Sequence, residues 1–177
     1  MTGGAALEVH LAEIAKGLAN GASLRVGFLE GATYPDGTSV PMVAAIQEFG
    51  APRAGIPPRP FMRATVAAKS STWGDAVATL LTAYDYNAEK ALMGVGLGIE
   101  GQIRDQIIAT DSPPLSPVTL MLRKMRSEDQ ALVVTGKTVG EAAARVAAGE
   151  STAGVSTKVL NDSGHLLNSV GSEVIAK

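Results

Sequence analysis

The sequence predicts an α+β fold made of several helices, a few short strands and an extended proline-rich arm. Three observations carry that expectation. Apolar residues recur at helical spacing over most of the chain, residues 23–29 and 170–175 read as short strands, and residues 48–63 concentrate proline where both patterns stop. A chain of 177 residues is long enough to bury a core, and it is expected to form one domain over 1–177 with a projecting arm at about 48–63.

The elements follow in order. Leu7, Leu11, Ile14 and Leu18 give residues 5–19 a helical stripe, and Asn20-Gly21 supplies a stop. Ser23-Leu24-Arg25-Val26-Gly27-Phe28-Leu29 alternates as a half-buried strand does, and Tyr34-Pro35-Asp36-Gly37-Thr38 is a turn. Residues 40–49 read as a short helix with Pro41 in its first turn and Gly50 ending it. Residues 61–83 read as helical, with an irregularity expected near Trp73-Gly74.

A long helix is expected over 88–109, with Asn87 as its cap and Leu92, Val95, Ile99, Ile103 and Ile107 as its buried stripe. Ser116 can cap a basic helix that has Pro117 at its first position and runs through Arg126. Residues 133–149 begin as either a short apolar strand or a helix start and continue as an alanine-rich helix from Val139 to Ala148. The remaining expectations are a turn and a short helical turn over 159–170, then a terminal strand.

The arm holds four of the nine prolines and two of the three phenylalanines. Proline fixes its own φ and moves the preceding residue out of the α region, so Ile56-Pro57-Pro58-Arg59-Pro60 is expected to be extended and stiff. A prestiffened segment loses little entropy on binding, and arginine and aromatic side chains are favoured at interface hot spots. Phe49, Arg53, Ile56, Pro57, Pro58, Arg59, Pro60, Phe61 and Arg63 are therefore the candidate interface.

Composition narrows the function classes. Hydrophobic residues make up 46% and aromatics only 4%, so Ala, Val, Leu and Ile must do the packing, and association between copies is a natural source of further stability. A net charge of −2 lacks the basic footprint of a protein whose main partner is nucleic acid. The longest apolar run, residues 91–99, is about half of what a bilayer span needs. Glu8, His10 and Glu13 interrupt the first hydrophobic segment, so no signal peptide and assembly in a cytoplasm are expected. Zero cysteines exclude disulfides, thiolate zinc sites and a cysteine nucleophile.

Motifs that suggest chemistry have simpler accounts. Gly96-Leu97-Gly98-Ile99-Glu100-Gly101 matches the dinucleotide-binding glycine spacing, but it lies inside a helical stripe rather than in a turn after a strand. Gly94, Gly98 and Gly101 are instead expected to line a helix face that another backbone approaches. Ala131-Leu132-Val133-Val134-Thr135-Gly136-Lys137-Thr138 resembles a degenerate phosphate loop whose Lys137 and Thr138 would act on a nucleotide. Its branched interior residues hinder the inward turn of backbone N–H groups that such a cradle needs. His10 and His165 have no partner at metal-ligand spacing, and no serine sits in a nucleophile elbow. No catalytic, cofactor or metal site is expected.

Gly31-Ala32-Thr33-Tyr34-Pro35-Asp36-Gly37-Thr38-Ser39-Val40, Val43-Ala44-Ala45-Ile46-Gln47-Glu48-Phe49-Gly50 and Ile56-Pro57-Pro58-Arg59-Pro60-Phe61 occur in that order. They are followed by Pro113-Pro114-Leu115-Ser116-Pro117-Val118-Thr119-Leu120 and Leu160-Asn161-Asp162-Ser163-Gly164-His165-Leu166-Leu167-Asn168-Ser169-Val170. Together these segments resemble the neck and tail-completion proteins of tailed bacteriophages. The likeness covers roughly residues 24–63, 100–125 and 158–176.

The resemblance implies a non-enzymatic α+β subunit, with a small antiparallel sheet flanked by several helices, that closes into a ring joining the tail tube to the head connector in the virion. Sixfold tails imply a hexamer. The implied partners are further copies of the chain, the tail tube or tail-terminator protein, and the head connector and neck proteins. A tail-terminator ring is the near alternative, and a nucleotide-binding enzyme using residues 131–138 the distant one. Genomic DNA passes through such a joint, and Arg53, Arg59 and Arg63 would give only weak, sequence-blind contact with it. Asp162 and Gly164 are expected to be architectural, one as a turn or cap acceptor and the other as a positive-φ residue.

Overall fold

The computed structural model describes residues 3–19, 21–160 and 163–176. Among them are seven α-helices, a short 3₁₀ turn and one antiparallel pair of strands, an α+β fold. In chain order they are α1 (Gly3–Ala19), β1 (Ala22–Phe28), α2 (Val40–Phe49), the 3₁₀ turn (Pro52–Ala54), α3 (Phe61–Ala83), α4 (Ala88–Ala109), α5 (Pro117–Glu128), α6 (Gly136–Ala147), α7 (His165–Asn168) and β2 (Val170–Ala176). No helix among the described residues is long and apolar enough to cross a membrane.

The chain forms two compact units. The first holds the described part of residues 1–31, Phe61–Gln106 and the described residues from Ser169 onward. Its sheet pairs β1 with β2 without a bulge, from Ala22 opposite Ala176 to Phe28 opposite Val170. Alternation directs Leu24 and Val26 to the side where α3 and α4 contribute Met62, Thr65, Val95, Ile99 and Ile103 to a shared apolar lining. Phe28 meets the ring of Phe61 edge-on at 5.9 Å.

Helix α4 carries the buried stripe that its spacing predicts. Val95, Ile99, Ile103 and Ile107 are buried, and Leu92 is half-buried. Asn87 Oδ1 accepts from the Lys90 N–H at 3.0 Å, as a helix cap does. Close approaches fall at one of the expected glycines, Gly94, and at one other, Gly96, and both are made by side chains rather than by another backbone. A Cβ on Gly96 would lie 2.7 Å from Ser172 Oγ and 3.0 Å from Leu24 Cδ1, whereas Gly98 and Gly101 have nothing within 4 Å. A Cβ on Gly94 would lie 2.8 Å from Leu80 Cδ1.

Two expectations about helices change. Helix α3 runs without the irregularity expected at Trp73-Gly74. A single glycine costs a helix about 1 kcal/mol, and Trp73 is anchored because its Nε1 donates to Gln102 Oε1 at 2.9 Å. In α1 the apolar stripe is largely unburied. Leu11 and Leu18 are exposed and Ile14 half-buried, while the side chain of Leu7 lies outside the described residues.

The second unit comprises Ala32–Pro60 and Ile107–Asn168. Helices α5 and α6 form a hairpin around Met121, Met125 and Ala142, with Val118, Leu122, Leu132 and Val146 packed against them. Ser116 Oγ caps α5 by accepting from Thr119 N–H at 3.1 Å, and Pro117 follows at the first helical position. The ambiguous stretch at 133 resolves as a non-strand segment, and α6 starts at Gly136, three residues before the expected Val139. Thr135 explains the early start, because it forms a capping box with Thr138.

Candidate interaction surface

The residues of the proline-rich segment divide by burial. Phe49 ends α2 at 65% exposed. Arg53, Pro58, Pro60 and Arg63 are also exposed, and Ile56 and Pro57 are half-buried. Arg59 is 4% exposed and Phe61 fully buried. The expectation that these last two project as docking anchors is therefore corrected, since each already has partners within its own unit.

The segment folds back on itself before it reaches Arg59. Gly50 ends α2 at φ 77°, where a Cβ would lie 2.8 Å from the Pro58 nitrogen. That position requires glycine on both backbone and steric grounds. Ala51 and Ile56 then exchange hydrogen bonds of 2.9 and 3.1 Å around the 3₁₀ turn. Arg59 N–H donates to the Gln47 carbonyl at 2.7 Å, tying the segment to α2.

The Arg59 guanidinium is the hub of this region. Nε donates to the Pro113 carbonyl at 3.0 Å, one Nη to the Pro114 carbonyl at 3.2 Å and the other to Gln47 Oε1 at 3.1 Å. Burial, with a smaller repulsion from Arg123, holds Arg59 below the ordinary arginine value. The fixed fork of donors suits three acceptors that no single ammonium could reach together. Three of the motifs, those around Gln47, Arg59 and Pro113-Pro114, thus meet at one side chain.

The other two motifs also meet. The Tyr34 ring lies 4.6 Å from the imidazole of His165, whose Nε2 is 2.9 Å from the Thr33 carbonyl. The 33–39 turn is closed by a Thr33–Ser39 bridge, and Asp36 Oδ1 accepts from the Thr38 N–H at 3.0 Å. Hydrogen bonding from Thr38 holds the Asp36 carboxyl below its usual range. Gly164 has φ 75°, and its carbonyl accepts from the Asn168 N–H at 2.9 Å. Asp162 lies outside the described residues.

The sequence reading missed a second polar cluster in the same unit. Lys124 Nζ and Arg145 Nε bind the Glu150 carboxylate at 2.9 and 2.6 Å, and Arg145 Nη2 also reaches Glu128 at 3.1 Å. Hydrogen bonding from Arg145 first, and from Lys124 second, depresses the Glu150 carboxyl to about 2. This clasp ties α5 and α6 to the chain that follows them. The basic character of α5 was its only sequence signal.

The 131–138 segment is occupied by its own capping interactions. Thr138 Oγ1 accepts from the Thr135 N–H at 2.7 Å, and Thr135 Oγ1 accepts from the Thr138 N–H at 3.4 Å. Val133, Val134 and Lys137 are exposed. In the first unit, an open groove of about 380 Å³ is lined mainly by apolar side chains, among them Val66, Val77 and Trp73. No group of histidine, aspartate or glutamate side chains among the described residues is arranged to hold a metal ion.

No protein-family model, curated protein or solved structure matches this chain.

Proposed function

We propose that the chain is a non-enzymatic structural subunit of a tailed-phage neck, a tail-completion component that forms a ring and joins the tail tube to the head connector. The observation that carries this reading is the convergence of the motifs. Arg59 links the Gln47 segment to Pro113-Pro114, and His165 meets Tyr34. These contacts support reading the segments as parts of one structural element. A shared structural element accounts for both their order and their contacts.

Exposed apolar residues support association as the mode of action. Phe49 and Met42 on α2, and Met93 and Leu97 on α4, are each more than half exposed. Single exposed apolar residues are ordinary, but a subunit destined for a ring needs such surface on its contact faces. In this reading the protein works in the virion after assembly in the host cytoplasm, with no cofactor.

The test is made on particles. Phage produced without this chain should accumulate unjoined heads and tails, and a reconstruction of the intact particle should locate the chain at the joint. Normally joined particles lacking the chain would overturn the proposal. Nucleotide binding offers a second check. Wild type and Lys137→Ala should both bind ATP and GTP negligibly, and binding lost on that substitution would favour the enzyme reading.

A further inference from the structure

The two-stranded sheet has an outer edge on each strand to which no strand is paired among the described residues. Such edges are normally blunted by shortness, proline, a bulge or lysine. Here both strands are seven residues long, are paired over their full length and contain neither proline nor lysine.

The charge pattern along these edges is specific. Each strand carries one charged residue, at its midpoint: Arg25 in β1 and Glu173 in β2. They are cross-strand partners, 3.6 Å apart, with side chains 70% and 45% exposed. We infer that a second copy of this chain adds its β2 edge antiparallel to the β1 edge of the first, so that Arg25 of one copy lies opposite Glu173 of the next.

Charge selects this pairing over the alternatives. Joining two β1 edges in register would set Arg25 against Arg25, and joining two β2 edges would set Glu173 against Glu173. Like charges directly opposite one another destabilise a sheet. The favoured contact therefore joins two different edges and is heterologous, so each added copy presents a fresh edge until the assembly closes. Each charge would then sit between two of opposite sign. The inference rests on the ring reading above and deepens it by naming the contact between copies.

The test uses two single variants of the full chain, Arg25→Glu and Glu173→Arg, at low ionic strength. Each alone puts like charges across every proposed contact, and the midpoint concentration for assembly should rise roughly tenfold. An equimolar mixture should recover near-wild-type assembly. In the mixture every contact between unlike copies is again oppositely charged, although the pair within each copy is not. Native mass measurement should find the two variants in equal numbers.

Recovery in the mixture cannot arise from the pair within one copy, so it supports the contact directly. Variants that assemble like wild type, or a mixture no better than its components, would overturn it. In either case wild-type assembly and head–tail joining would be unaffected, leaving the neck reading intact. A wild type that stays monomeric overturns this inference and the ring together.

Discussion

Arg59 ties three separate segments of the second unit together. Its guanidinium satisfies two main-chain carbonyls and one side-chain carbonyl in a buried setting, so its removal leaves acceptors without donors. Arg59→Ala is expected to lower stability by about 3 kcal/mol, and Arg59→Lys by nearly as much. Denaturant unfolding followed by circular dichroism measures both, and a loss within experimental error would refute the hub role. Phe61→Ala is expected to cost about 3–5 kcal/mol for a related reason, because it empties a fully buried aromatic site. A joining defect in either variant would thus reflect folding before docking, so interface tests belong on exposed Phe49 or Arg53.

Glu150 gives the residue scale a pH dependence. Its carboxyl titrates at about 2 in the folded chain against an ordinary 4.5. A depressed pKa means that the stabilisation is fully present above the ordinary value and is lost as pH falls from 4.5 towards 2. The group is at the surface, so the effect is small and weakened by salt. Wild type should lose stability through that window more steeply than Glu150→Gln, and thermal melts across it, at low and high salt, measure the difference. Parallel pH profiles would remove the clasp from the account.

At the scale of elements, two of the four glycines of α4, Gly96 and Gly98, make opposite predictions from identical chemistry. Gly96→Ala pushes a methyl group against Ser172, whose hydroxyl is held at 2.6 Å by Glu100, and should cost about 1–3 kcal/mol. Gly98→Ala meets nothing within 4 Å and should stabilise α4 by up to about 1 kcal/mol. Equal shifts in melting temperature for the two variants would contradict the close approach at Gly96.

These glycines also mark where the sequence stops being legible. Local signals identified α2 and α5 closely, because Ser39, Pro41 and Gly50, and Ser116 and Pro117, act within a turn of the chain. Gly96 and Gly98 lie two positions apart on one helix, and their difference depends on β1 and β2, far away in sequence. Arg59 reads as an exposed anchor for the same reason, since its carbonyl partners lie 54 and 55 positions away. The start of α6 was legible in principle, because Thr135 and Thr138 have capping-box spacing. Their likeness to a phosphate loop drew the reading elsewhere.

On the scale of the whole molecule, each unit has buried apolar residues of its own: Phe61, Ile99 and Ile103 in the first, Met121, Met125 and Ala142 in the second. Large apolar side chains also remain exposed in both. If copies associate as proposed, folding is linked to concentration. The apparent melting temperature should then rise by several degrees across about a hundredfold range of protein concentration. A value independent of concentration, read by calorimetry, would argue for a subunit that does not self-associate.

The pairing of β1 with β2 sets an order of events during synthesis. Residues 29–169 separate the two strands, so the ribbon cannot close until Val170–Ala176 has left the ribosome. A polypeptide released early would carry β1 without its mate and could not present the paired edges a neighbour needs. Recruitment at that edge would therefore pass over chains that stop before β2, a form of quality control built into strand order.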